Sequence, residues 1–296
     1  MKDQKLSDED IAILKQAKQA QDTMGSMGMN EPDSQPVVEE EKVYENFIEI
    51  SDLPSKGTHY KNKIVGQPLK VNDLLQIQSM DEFNIHDRID EIFRRRIRGI
   101  DPGEILLGDE LCIALWLREA SFPQFKFPLE GYDCVNPKCK KYVDASMAQF
   151  GFEDISYESN IEEVNAKFDG KEFVEFELPH SKKIVKLVQK KRKHVTQARK
   201  VIQENYYDKK IPVPDGVEET LEIISILDLG KESLLETMQE VAQLEALDFI
   251  EILKQVNNHV FASDIVINRT CPACKEGTSL KGYPFRPALY FPIDIQ

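Results

Sequence analysis

Cys134-Val-Asn-Pro-Lys-Cys139, read together with Cys271-Pro-Ala-Cys274, decides the fold. Zinc favours four soft thiolates in a tetrahedron, and two local pairs lower the entropy lost in gathering four ligands. The two-residue gap of the second pair is that of a zinc knuckle, and the four-residue gap of the first lies within the usual range. Cys134, Cys139, Cys271 and Cys274 are therefore the candidate ligands of one structural Zn2+ ion. Two other readings stay open here. Four thiols can simply be inert. Cys271-Pro-Ala-Cys274 alone also has the form of a redox dithiol, although such a pair normally opens a helix that lowers a thiol pKa. Here Lys275 to Gly282 reads instead as a turn and then a strand. No His or Glu motif beside the cysteines offers the open position of a catalytic zinc.

The two pairs lie far apart in the chain. If the residues between them form an insertion whose ends meet, the strand-like segments beside each pair make one interrupted zinc ribbon, with the metal clamping the insertion's root. Phe173 to Leu178 and Ile184 to Val188 read as paired strands around the turn Pro179-His180-Ser181-Lys182, and Asp264 to Ile267 as a strand before the second pair. Between them, Val195, Ala198, Val201 and Ile202 mark one helix, and Leu221, Ile224 and Leu227 a second. A third spans Ser233 to Val260, with an interruption near Asp248. The apolar tail Ala288 to Phe291, Ile293 and Ile295 is expected to close the last sheet.

Upstream, Phe47, Ile48 and Ile50 suggest a strand, Leu53 to Gly57 a turn, and Ile64-Val65 a second strand. Asn72 can cap a helix. Ile85, Ile89, Phe93 and Ile97 give a helical stripe with Gly99 as its stop. Asp101-Pro102 opens another helical segment carrying Leu106, Leu107, Leu111, Leu115 and Trp116, and Gly108 threatens its continuity. Trp116 should be buried, and Asp109 and Arg118 should be structural. Cys112 reads as a small buried residue. Residues 7–20 form a thinly apolar helix capped by Ser7, and residues 21–43 a linker with little to bury.

The expected organisation is an N-terminal helix and flexible arm (1–45), an α+β domain (46–130), a first part of the zinc-binding β region (131–190), a helical insertion (191–261) and the second part of that region (262–296). The class is α+β, a small β-hairpin and helical domain joined to a split four-cysteine zinc ribbon interrupted by a helical insertion.

Composition narrows the function. The chain has 296 residues, 52 acidic against 38 basic, a formal charge of -14 and five cysteines. An odd cysteine count with a polar start does not suit a disulfide scaffold, and no run approaches the roughly 18 apolar residues of a membrane span. Nine Lys or Arg crowd residues 182–200 without an acidic residue among them. They can hold phosphates, as in a zinc-ribbon regulator that binds nucleic acid, grip an acidic partner, or pair with this chain's own Glu218 to Glu245. No aromatic residues interleave for stacking, and nucleic acid is disfavoured. The five scattered histidines form no HExxH, and no GxSxG, GxxxxGK[ST] or GxGxxG occurs, so no catalytic residue is nominated and no enzyme is expected. One echo stands out. Phe47-Ile-Glu-Ile-Ser-Asp-Leu-Pro-Ser-Lys56 parallels Phe173-Val-Glu-Phe-Glu-Leu-Pro-His-Ser-Lys182, either as a shared hairpin design or as coincidence.

Leu53-Pro-Ser-Lys-Gly57 with Tyr60 resembles a hairpin of baseplate hub and hub-assembly proteins from T4-like contractile-tailed phages. Leu106-Leu-Gly-Asp-Glu-Leu111, Leu115-Trp-Leu-Arg118, Ser121-Phe122 and both cysteine pairs extend the resemblance over residues 46–296. It implies a late viral protein made in the host cytoplasm, whose partners are other baseplate or tail hub proteins. It would act as an assembly factor or stay as a permanent subunit of the virion tail baseplate. It carries over no catalytic residues, and residues 1–45 lie outside it.

Overall fold

The computed structural model describes residues 46–78, 85–124, 126–127, 131–139, 141–144 and 149–281, all within the unit Tyr44–Gln296. The expected N-terminal helix, its linker and the strand at 288–295 lie outside the described residues.

The first half is a three-stranded sheet with helices. Strands β1 (Ile48–Glu49), β2 (Val65–Gly66) and β3 (Ile97–Arg98) are antiparallel with β2 in the middle. Helices α1 (Val71–Gln78) and α2 (Ile85–Arg96) connect β2 to β3, and α3 (Leu107–Ser121) follows a short 3-10 turn at Pro102–Glu104. Ile89 and Phe93 of the predicted stripe are buried on α2, Phe93 only 1% exposed, and Ile97 is buried in β3. Asp101 caps as expected, but its Oδ1 takes the Gly103 amide of the 3-10 turn rather than starting a long helix. Asp73, not Asn72, closes the start of α1 by accepting from the Lys70 amide at 2.8 Å, and Arg96 Nε holds the same carboxylate at 2.6 Å.

Gly108 does not interrupt α3. It lies in the first turn, where a Cβ would sit 2.4 Å from the Phe261 ring. Glycine is there for close packing, and Gly108→Val should cost about 1–3 kcal/mol through forced displacement of Phe261. Urea unfolding checks it, and a variant as stable as the parent would show that the contact yields freely. Trp116 departs from expectation. It is half-buried, its ring packed over Gly66 of the middle strand β2. Arg118 is enclosed near the end of α3, 3.9 Å above the Phe127 ring and donating to the Lys126 carbonyl.

The second half repeats this design. Strands β7 (Phe173–Glu177), β8 (Ile184–Val188) and β9 (Leu227–Asp228) form a sheet with β8 in the middle. Helices α5 (Arg192–Ile202) and α6 (Val217–Ile224) connect β8 to β9, and α7 (Leu234–Val241) and α8 (Ala246–His259) follow. The echoed turns are built alike. Asp109, third residue of α3, accepts the Ser55 amide at 2.9 Å; Asp248, third residue of α8, accepts the His180 and Ser181 amides at 2.7 and 3.0 Å. Lys56 and Lys182 both close their turns with positive φ, 54° and 58°. The echo in the sequence is therefore a repeated hairpin whose Leu-Pro turn is capped from a distant helix. The expected third helix is two, α7 and α8, broken at 242–245, and Asp248 lies inside α8.

The remaining elements are β4 (Tyr132–Asp133), β5 (Tyr142–Val143), β6 (Ile155–Ser159), α4 (Ile161–Phe168), β10 (Ser263–Thr270) and β11 (Gly277–Lys281). β10 pairs with both β11 and β6, and the register Ser263↔Ser159 puts the ends of 160–262 side by side. The Ala262 amide donates to Asn160 Oδ1 at 2.9 Å, and Asn160 Nδ2 donates to the Val260 carbonyl at 3.0 Å, stapling this root. The ribbon is thus interrupted, but by a stretch wider than 191–261 that carries its own sheet. A boundary at 190/191 would separate β8 from β9, which are paired at Leu187↔Leu227. The second copy keeps a separate core around Leu178, Leu187, Ile224 and Ile252, whereas the first shares its core with Val143, Ile265 and Ile267 of the ribbon.

The basic run of 182–200 joins the two copies. Leu107 donates its amide to the Lys190 carbonyl at 3.0 Å, and the Arg192 amide to the Ile105 carbonyl at 2.9 Å. Arg192 reaches Asp90 and Glu110 of the first copy; Lys191 and Lys193 share Glu104. Every one of the nine cations is in an ion pair with this chain's own carboxylates. His194 beside them is 7% exposed. Burial, with the positive charges of Lys193 and Lys191, pushes its imidazole down to about 4. The unfolded chain takes up that proton near pH ~6.5, so this contribution to stability is intact above that value and drains away as the pH falls toward 4. Unfolding midpoints at pH 7 and pH 5 should therefore diverge less in His194→Gln than in the parent; an equal divergence would remove His194 as a source.

Candidate metal centre

The cysteine pairs occupy the turns of two short hairpins. Cys134 follows β4 and Cys139 precedes β5; Cys271 follows β10 and Cys274 precedes β11. Proline and asparagine make the first turn tight: the Cys139 amide donates to the Asn136 carbonyl at 3.0 Å, and the Lys138 amide to Asn136 Oδ1 at 2.9 Å. In the second turn the Lys275 amide donates to the Cys271 carbonyl at 2.9 Å, with Lys275 itself left-handed at φ 62°. Asn136 Nδ2 donates to the Glu276 carboxylate, tying one turn to the other.

These turns bring all four sulfurs within 4.8 Å of one another. Cys134 Sγ lies 3.7 Å from Cys274 Sγ, and Cys139 Sγ lies 4.0 Å from Cys271 Sγ. Each close contact joins one hairpin to the other. A tetrahedral ion with metal–sulfur bonds of about 2.3 Å requires edges of about 3.8 Å. Disulfides, at about 2.05 Å, are far shorter, and all five cysteines are free thiols. Among the described residues this is the one cluster of three or more side chains placed to hold a metal.

The electrostatics are uneven. The Cys274 and Ala273 backbone amides point at Cys271 and bring its thiol down to about 6. At Cys134 the Asn136 amide also favours the thiolate, but burial and the three neighbouring thiols outweigh it and push the value up to about 12. Four thiolates this close repel one another, and a divalent cation is the compensation that lets them ionise together. With four protein sulfurs around one centre, no position remains for a substrate or a water, so the set suits a closed structural site. A redox reading of Cys271-Pro-Ala-Cys274 alone does not account for two further thiols at the same centre. The following residues form β11 rather than a helix.

Other sequence candidates go elsewhere. Asp109 and Glu110 diverge, the first onto Ser55 and Tyr60 Oη, the second onto Arg192. His59 pairs with Asn165, and His259 Nδ1 lies against the Gln255 carbonyl. Cys112 is buried at 2% exposure, and burial pushes its thiol up to about 12. The Asn136–Glu276 tie was not foreseen, and nothing in the spacing of those residues signals it. Among the described residues no helix is long and apolar enough to cross a membrane. Comparison with protein-family models, curated proteins and solved structures gives no match to this chain.

Proposed function

We propose that this chain is a zinc-clamped scaffold that binds other proteins without catalysis, and that it serves as an assembly factor of the tail-baseplate hub of a contractile-tailed phage. One observation carries the scaffold reading: large apolar residues stand paired along the outer faces of two helices. Val71 and Leu75 on α1 are 72% and 57% exposed, and Leu247 and Ile250 on α8 are 63% and 59% exposed. Such pairs, one helical turn apart on a fixed frame, suit contact with a partner's apolar surface. The internal pairing of the 182–200 cations supports protein over nucleic acid as that partner. Four thiolates at tetrahedral spacing favour zinc among the common metals. The phage setting rests on the resemblance of the Leu53–Tyr60 and Leu106–Arg118 segments.

Co-expression with the other baseplate hub proteins of such a phage tests this reading. A stoichiometric complex is expected, weakened by Leu247→Glu/Ile250→Glu or by Val71→Glu/Leu75→Glu. Presence in hub precursors but not in purified particles identifies an assembly factor; retention in particles identifies a permanent subunit. A chain that joins no hub complex contradicts the proposal.

A further inference from the structure

Asp109 and Asp248 stand third in α3 and α8 and cap equivalent turns. Leu247 therefore occupies the place of Gly108, Ile250 that of Leu111, Glu251 that of Cys112 and Lys254 that of Leu115. Both helices bury the positions that face their own sheet: Ile113 and Leu117 in α3, Ile252 and in part Val256 in α8. The four exchanged positions form a stripe on the other side of the helix, spaced i, i+3, i+4 and i+7.

In the first copy the ribbon and its root close that stripe. The Phe261 ring packs over Gly108, Ser263 Oγ donates to the Gly108 carbonyl, and Tyr157 of β6 lies against Cys112. Cys112 and Leu115 are left 2% and 1% exposed. In the second copy the stripe is open, with Leu247 and Ile250 63% and 59% exposed. Its far end suits water, because Glu251 and Lys254 pair there at 3.3 Å. The first turn does not. Two large aliphatic side chains on an otherwise charged stripe mark a contact made in assembly.

The first copy also displays the kind of element that fits. Its cover is extended chain, the root at 261–262 and strands β6 and β10. An extended segment turns alternate side chains to one face, about 7 Å apart. That is close to the about 5–6 Å between residues one helical turn apart, such as Leu247 and Ile250. Leu247 fills the space that Gly108 leaves for a ring, so aliphatic side chains fit there and aromatic ones do not. Two side chains are a small footprint beside the about 800 Å2 that each partner buries in a standard interface, which disfavours a second folded copy seated on this face alone. Building on the protein-binding scaffold but not on its phage setting, we propose that the first turn of α8 docks a short extended apolar segment of a partner protein. The segment lies across Leu247 and Ile250 as the ribbon lies across α3.

Selection of a random library of short peptides against the full chain tests this, with counter-selection against Leu247→Glu/Ile250→Glu. Both substitutions alter exposed side chains, and circular dichroism confirms that the variant folds. Recovered peptides should carry branched aliphatic residues at alternate positions. The best of them should move the Ile250 methyl signals saturably and lose about tenfold or more in affinity in the double variant, with no loss in Val71→Glu/Leu75→Glu. Peptides with apolar residues three and four apart, as on a helix, would overturn the assignment. So would the recovery of none that distinguishes the parent from Leu247→Glu/Ile250→Glu. The library contains no hub protein, so a chain that takes such a peptide yet joins no hub complex keeps this docking site and loses the phage setting alone.

Discussion

Chelating the metal proposed at the four cysteines, or replacing Cys271 with serine, is expected to destabilise the whole described unit rather than one loop. Structural zinc sites of four ligands contribute about 10–16 kcal/mol of apparent binding energy, whereas a domain's net stability is about 5–15 kcal/mol. The cluster is also placed where its loss spreads. Cys271 directly follows β10, and β10 carries Ile265 and Ile267 into the core shared with α3 and β3. The same strand pairs with β6 to close the root of the 160–262 insertion. Thermal melts followed by circular dichroism should show a fall of more than 10 °C, roughly what several kcal/mol produce in a domain of this size, in chelator and in Cys271→Ser alike. Cys112→Ala, a substitution of the cysteine outside the cluster, should keep its metal. A Cys271→Ser protein that melts with the parent would remove the clamp from the account.

Arg192→Met should be the most damaging substitution away from the cysteines. The guanidinium is 3% exposed; its Nε and Nη2 lie 3.0 and 2.5 Å from Asp90 Oδ1, and Glu110 approaches Nη1. It also lies 4.9 Å above the Phe93 ring. Removing it strands two carboxylates in the junction between the copies, at a cost of about 3–5 kcal/mol. Burial already holds the Glu110 carboxyl above its ordinary range, and Arg192 is the chief force pulling it down. Without Arg192 that value climbs further, so the folded state binds a proton more readily than the unfolded one. The variant should regain stability as the pH falls from 7 toward 5, and adding Glu110→Gln should recover part of the loss at pH 7. Urea unfolding at both pH values checks this. A loss under about 1 kcal/mol would mean that water already screens the pair, as at an exposed salt bridge.

The four-cysteine cluster was legible because its chemistry is local: two cysteine pairs specify two turns, and a turn's geometry hardly depends on the rest of the chain. The Leu-Pro turns were legible for the same reason. The second sheet was not. β9 is two residues, Leu227 and Asp228, at the end of a helical pattern, and a strand that short has no period to detect. Its existence depends on pairing with β8, a contact distant in sequence. Gly108 read as a threat to the helix because propensity sees only the backbone, while the reason for glycine is the ring of Phe261 beside it. The basic run left several readings open: Glu218, Glu222 and Glu240 of the acidic stretch do pair with it, but its other counter-charges, Asp90, Glu104 and Glu110, lie far back in the chain where no local pattern announces them. Twin caps such as Asp109 and Asp248 leave a faint signal: each stands at the third position of a helix, and each helix follows an echoed turn.

Metal content with sulfur-coordination analysis of the purified full chain is the most direct measurement of the clamp proposed at the four cysteines. One zinc per chain bound by four sulfurs at about 2.3 Å is the expected result, falling to zero in Cys134→Ser/Cys271→Ser. A fully folded protein with no bound metal, or a metal held by nitrogen or oxygen ligands instead of the four thiolates, would contradict it.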